Sequence, residues 1–271
     1  MSTINTNVNA LFAQNALKVN DRSLTKAMQQ LSTGSRVNSS GDDAAGLAIG
    51  TSMTAQIRGL NMAVRNANDG ISMLQTAEGA MVEQTNMLQR MRELAVQATT
   101  ATYNTTQLGY LDTEFQALDT QINNIASNTK WNGTVLMSAA TTQTFVVGSA
   151  GTETITVALA ATDTTTGLAT TSLAVTTSTL AATAITNIDS ALASISSARA
   201  KIGAGINQLT YAADNLTNVS QNLTASRSQI MDTDYATATT QLARSQIIQQ
   251  AATAMLAQAN QQPQTVLALL K

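Results

Sequence analysis

The sequence predicts a mainly α chain. Its fold class is an elongated antiparallel helical bundle, or coiled coil, with a small β-hairpin region and with the N- and C-terminal helices paired. Three observations carry this. Two long stretches repeat apolar residues at alternating steps of four and three. A Thr-rich stretch between them alternates in twos. The two ends keep helical spacing while carrying almost no charge.

In the first long stretch, positions 53, 57, 60, 64, 67, 71, 74, 78, 81, 85, 88, 92 and 95 hold ten apolar residues of thirteen. Met53, Ile57, Leu60, Val64, Ala67, Ile71, Leu74, Met81, Leu88 and Ala95 fit; Glu78, Thr85 and Arg92 do not. Such spacing, sustained over heptads, marks a coiled-coil seam. In the second stretch, eleven of fourteen positions from Ile185 through Ile188, Leu192, Ile195, Ile202, Ile206 and Leu209 to Ile230 are apolar; Arg199, Ser220 and Arg227 are the exceptions. One helix over 185–230 would be roughly 70 Å long at about 1.5 Å per residue, which suits a rod. A shorter helix is read from Leu108, Leu111, Phe115, Leu118, Ile122 and Ile125, with Thr105 or Thr106 as its cap. Asn132–Gly133 then signals a tight turn.

Residues 138–184 form the Thr-rich region. "TITVAL" alternates Ile155, Val157 and Leu159 as a half-buried strand does, and "TFVV" and "SLAV" are weaker candidates. A hairpin or small sheet is expected there, the alternative being a flexible Thr/Ala loop.

Residues 1–17 carry no charged side chain, and residues 236–270 carry one, Arg244. Both ends keep helical apolar spacing, through Ile4, Val8 and Leu11 and through Ile248, Ala251 and Met255. A surface helix normally keeps a charged outer face. An amide-rich face is cheaper to bury, because no ion is desolvated. Both ends are therefore expected to be covered by other copies of the chain, and to be loosely ordered before that happens. Between ends and centre, "STGSRVNSSGDDAAGLAIG" offers Gly34 as a helix stop and Ser40 with Asp43 as a capping box; "MDTDYA" offers Asp232 or Asp234 as a cap. The expected division is an inner arm, 1–42 with 232–271, and a rod, 43–231.

Composition excludes several functions. The chain has no Cys and no His, so thiolate chemistry and the usual general base and metal ligand are missing. No phosphate loop or G-x-G-x-x-G is present, and "GAG" at 203–205 is read as relief of helix crowding. Asp42, Asp43, Asp232 and Asp234 are read as caps, so no metal and no cofactor are expected. Met53, Met62, Met73, Met81, Met87 and Met91 are read as gap-filling core. Net charge is −2 with no basic cluster, which argues against nucleic acid. No 18-residue apolar run exists, so no membrane span is expected. The N-terminus lacks the layout of a cleaved signal peptide. Asn104-Thr-Thr and Asn132-Gly-Thr match the short N-glycosylation pattern, which matters in a eukaryotic secretory setting alone.

Long blocks of the chain resemble bacterial flagellin: "INTNVNALFAQNAL", "LSTGSRVNSSGDDAAGLAI", "RNANDGISMLQTAEGAM", "LQRMRELAVQ", "KWNGTVLM" and "ARSQIIQQAATAMLAQANQQPQTVLALLK". The likeness covers about 1–137 and 185–271 and leaves out 138–184. It implies a short flagellin without large outer domains: a self-assembling, non-enzymatic filament subunit of the bacterial flagellum. It further implies secretion by the flagellar type III route, and as partners a homopolymer, an export chaperone, and filament cap and junction proteins. By the same likeness Leu267, Leu269 and Leu270 would anchor the inner core. Gln89, Arg90, Glu93, Leu94 and Glu114 would contact the vertebrate toll-like receptor for flagellin. A hook–filament junction protein is the nearest alternative. A flagellin carrying a metalloprotease would need the histidines this chain lacks.

Overall fold

The computed structural model describes residues 7–269, with side chains through residue 261. The described chain runs α1 (Val8–Thr33), α2 (Ala44–Ala98), α3 (Thr105–Asn128), β1 (Lys130–Trp131), β2 (Thr134–Val135), β3 (Thr141–Val146), β4 (Thr154–Leu159), α4 (Ser178–Met231) and α5 (Tyr235–Leu269). It is a mainly helical bundle with two small antiparallel strand pairs. It divides into two compact units, Met1–Ala55 with Asn222–Lys271, and Gln56–Gln221.

In the second unit, α2 and α4 run antiparallel. Arg92 Nε meets Asp189 Oδ1 at 2.7 Å, Arg199 Nη2 meets Glu78 Oε1 at 3.7 Å, and Ser220 Oγ donates to Asn61 Oδ1 at 3.1 Å. Partner numbers fall along α4 as they rise along α2. Within this unit the buried positions of α2 are Leu60, Ala63, Ala67, Gly70, Leu74, Ala77, Met81, Gln84, Leu88, Met91, Ala95 and Ala98, with Met73 and Leu94 beside them. This corrects the seam read from sequence. Positions 60, 67, 74, 81, 88 and 95 hold, but the alternate position lies one residue earlier, at 63, 70, 77, 84 and 91. That is why Glu78, Thr85 and Arg92 broke the pattern. The same shift applies in α4, where Ala184, Ala191, Ala198 and Gly205 are buried and Ile185, Leu192, Arg199 and Ile206 flank them. Small residues take many of the buried seam positions, and the larger Val64, Ile71, Ile185, Leu192 and Ile206 pack half-buried along the edges. From Ile202 the buried steps run 205, 209, 213, 216 and 220, a three-four-four interval that locally unwinds a left-handed supercoil.

Helix α3 lies antiparallel to α2: Gln84 Nε2 donates to Ile122 O at 3.2 Å, and Arg90 Nη2 meets Glu114 Oε1 at 2.9 Å. Phe115 and Ile122 enter the core fully. The cap is Asn104, not Thr105 or Thr106. Its side chain accepts from Gln107 N while Gln107 reaches back to Asn104 N, a reciprocal capping box. Asn132 and Gly133 turn at positive φ of 45° and 83°, as a two-residue hairpin requires, and pair Trp131 with Thr134. The β3–β4 hairpin pairs Thr141 with Leu159 through Val146 with Thr154, burying Val157 and Leu159. "SLAV" is not a strand. Ala169 and Ser172 adopt positive φ, and α3 holds the segment with its polar face. Asp112 Oδ1 accepts from Val175 N, Gln116 Nε2 donates to Leu173 O, and Asp119 Oδ1 accepts from Thr170 Oγ1. Burial of Asp119 raises its pKa. In "GAG" it is Gly205 that matters, and for the hairpin rather than for a helix: a Cβ there would lie 2.6 Å from Val157 Cγ2. Met81, Met91 and Met73 are core, whereas Met62 is 49% exposed.

In the first unit α1 and α5 are antiparallel. Gly34 stops α1 at φ 69°. Ser35 bridges Asp232, Arg36 N donates to Met231 O at 2.6 Å, and Thr233 N donates to Gly34 O at 2.9 Å, so the two connectors form one short ladder. Asp43, not Ser40, caps α2 by accepting from Gly46 N, and Asp234 caps α5 by accepting from Ala236 N. The Lys26 ammonium, 3.0 Å away, and Ser39 hold the Asp42 carboxyl down at about 2. Helical Thr and Ser hydroxyls repeatedly donate to carbonyls one turn back, as Thr51 does to Leu47, Thr76 to Ser72, Thr113 to Gly109, Ser190 to Thr186 and Thr240 to Ala236. No helix among the described residues is long and apolar enough to cross a membrane.

The one-residue shift is testable. Ala77→Glu puts a carboxylate into the sealed core and should cost about 3 kcal/mol or more in denaturant unfolding. Glu78→Ala removes a half-exposed ion pair and should cost less than about 1 kcal/mol. The reverse ranking would return the seam to 78.

Candidate interaction surfaces

The first unit buries few apolar side chains. Among the described residues its fully buried apolar residues are Ala27, Val37 and Ala238. Val8 (48% exposed), Leu11, Phe12 (71%), Val19, Met28, Ile49, Tyr235, Ile247, Ile248 and Met255 (66%) stand in solvent. Polar groups make the α1–α5 contact instead: Asn7 Nδ2 donates to Ala259 O at 2.8 Å, and buried Asn20 Nδ2 to Ser245 O at 2.7 Å. Gln249 Nε2 reaches Asp21 Oδ1 at 3.3 Å, and Tyr235 Oη reaches Leu31 O at 3.4 Å. Between the helices lies a groove of about 600 Å³ walled by Phe12, Ala13, Ala16, Ile248, Ala252 and Met255. Side-chain amides make most of these cross-helix hydrogen bonds, and the large apolar side chains are left outside. That arrangement suits a second apolar surface laid against it. Val8, Leu11, Ile248 and Met255 therefore lie where the sequence spacing put them, on an exposed apolar face. Ile4 and Leu270 lie outside the described residues, and Leu267 and Leu269 outside those with described side chains. Phe12 and Ile247 are additions; each sits one residue off the spacing and was passed over for that reason.

In the second unit Arg90 forms a fork. Its Nη1 is 3.0 Å from Glu93 Oε2, one turn on, and its Nη2 is 2.9 Å from Glu114 Oε1 on α3. Glu93 first and Glu114 second raise the Arg90 pKa. All three side chains are about half exposed or more, and Gln89 beside them is exposed. Arg92 belongs elsewhere, locked to Asp189 of α4. Leu94 departs from the expectation of a surface contact: it is 1% exposed. Its position follows Met91 by three, so the corrected seam draws it into the core. The exposed group at this face is thus Gln89, Arg90, Glu93 and Glu114, with Tyr110 (72% exposed) and Val96 (45%) the large apolar side chains exposed nearest to it in the chain.

Comparison with known proteins gives a consistent picture. A profile described as the bacterial flagellin N-terminal helical region matches residues 4–142, and one described as the bacterial flagellin C-terminal helical region matches 185–270. Flagellin A of Vibrio anguillarum is 49% identical over 138 residues, 51% of this chain and 36% of that protein. Flagellin B of Vibrio cholerae is 45% identical over 146 residues, 54% of this chain and 39% of its own length. The matched part thus spans well under half the length of these relatives. The crystal structure of Bacillus cereus flagellin superposes with a TM-score of 0.51 at 33% identity, over 60% of this chain and 94% of that one. A Vibrio parahaemolyticus structure described as a flagellar hook-associated protein shares the fold at TM-score 0.58 and 11% identity, over 70% of this chain and all of that one.

Leu94 and Arg90 differ in what they do for stability. Leu94→Ala should lower the unfolding free energy by about 2–5 kcal/mol. Arg90→Ala should leave the melting curve unchanged, which thermal unfolding of the two variants side by side would show.

Proposed function

The chain belongs to the bacterial flagellin family, and from that premise we propose that it is a structural subunit that self-assembles into the helical filament of the bacterial flagellum for swimming motility. The observation that carries this is the inverted first unit, whose large apolar side chains face outward. Each such side chain is worth roughly 1.5–3 kcal/mol when fully covered. Identical subunits meeting through different patches, without closing a ring, extend into a helical polymer. In this reading 1–42 with 232–271 is the inner arm that orders on assembly, 43–231 is the rod, and Ile4, Leu267, Leu269 and Leu270 join Val8, Leu11, Ile248 and Met255 in the filament core. The chain reaches the extracellular filament by the flagellar type III route. An export chaperone covers its end beforehand, and cap and junction proteins bound the polymer.

Elongation from filament seeds, followed by sedimentation or electron microscopy, tests the reading. Phe12→Ser with Met255→Ser, or removal of 262–271, should leave soluble chain that does not add to seeds, while the second unit melts as in the parent. Normal growth of these variants would sink it.

The Arg90 face is proposed as the part of the released monomer read by the vertebrate toll-like receptor for flagellin, through Gln89, Arg90, Glu93 and Glu114. Arg90→Ala should lower the reporter-cell response about tenfold or more, as loss of a charged hot-spot residue does. Unchanged potency would exclude the face.

A further inference from the structure

A notch of about 280 Å³ opens between α2 and the two hairpins of the second unit. Trp131 of β1 and Phe145 of β3 line it, with Asn66 and Asp69 of α2. Its walls are fixed in advance. The Asn132–Gly133 turn and the pairing with Thr134 set the backbone at Trp131. Phe145 is held by the ladder opposite Ile155, and Asn66 Nδ2 donates to Val146 O at 3.3 Å. Gly70 makes room, since a Cβ there would come within 2.7 Å of the Phe145 ring. Asp69 is exposed and makes no hydrogen bond or ion pair among the described residues. Two aromatic rings and an unengaged carboxylate in one small recess are the components of a cation site. A guanidinium fits them better than an ammonium, because it can stack on a ring and offer parallel N–H groups to a carboxylate.

We propose that this notch receives an arginine side chain from a second copy of the chain. The chain supplies the donor: Arg58 and Arg65 of α2 are exposed and have no ion pair among the described residues. Arg65 is also one turn before Asp69 in the same helix and still does not pair with it, which leaves the carboxylate open to an outside partner. The choice of a second copy as occupant rests on the filament reading; the cation chemistry of the notch does not.

Trp131 is the sole tryptophan, so its emission reports on this recess alone. Monomer released by heating would be titrated with N-acetyl-arginine methylamide and with the neutral citrulline analogue. The expected result is a saturable change with the arginine probe, weakened about tenfold in Asp69→Asn, and no saturable change with citrulline. An equal response to both probes, or none to arginine, overturns the cation site. In seeded growth Asp69→Asn should need severalfold more monomer to elongate while melting as the parent does, and growth at the parent concentration overturns the second copy as occupant. Failure of the parent chain itself to elongate would overturn the filament reading and that occupant together, while the titration would still decide the chemistry of the notch.

Discussion

Everything in the second unit depends on the small residues that line the buried seams of α2 and α4. They are Ala63, Ala67, Gly70 and Ala77 on one helix and Ala184, Ala191, Ala198 and Gly205 on the other, all buried. Dispersion contacts accumulate where surfaces are close, so small residues at the centre and large ones at the flanks yield a dense core from a chain with 3% aromatics. The two glycines admit Val157 against Gly205 and Phe145 against Gly70, which seats the β3–β4 hairpin on the helices. The irregular segment after it is placed by Asp112, Gln116 and Asp119 of α3.

The first unit solves the opposite problem. A pair of helices that buries Ala27 and Ala238 and exposes Phe12, Ile247 and Met255 gains little from its own contact. Asparagines at 7 and 20 fix its register by hydrogen bonds to backbone carbonyls, which are specific and of modest net strength. Register is thereby set without consuming the apolar surface, and that surface stays exposed.

Element type and order were legible because periodicity reports burial directly: both long helices, α3, the Asn132–Gly133 turn and the "TITVAL" strand lie where the pattern put them. The finer registration was not, because a seam of alanine and glycine is chemically quiet beside larger neighbours. Val64, Ile71 and Leu192 drew the assignment one residue off, and the misfit of Glu78, Thr85 and Arg92 was the available clue. Leu94 was named from the resemblance alone; its burial follows from the shifted seam that places Met91 in the core. Asn104 was passed over as a cap for the adjacent threonines, although Gln107 three residues on completes the capping box. "SLAV" has strand composition, but side chains of α3, distant in sequence, decide its shape. The ion-pair partners Asp189 and Glu114 lie on other helices and leave no local trace beside Arg92 and Arg90.

The helical threonines and serines carry a last implication. Each hydroxyl that donates to a carbonyl one turn back, as at Thr76, Thr113, Ser190 and Thr240, has committed its single proton within its own helix. A neighbour pressed against such a helix meets methyl groups and lone pairs, not a donor that must find an acceptor. Directional contacts lock two surfaces at one offset, and these hydroxyls supply none. Where such hydroxyls are the polar groups met, two faces can slide by a fraction of a helical turn with little penalty, so these residues leave the offset to be set by the amides and guanidiniums beside them.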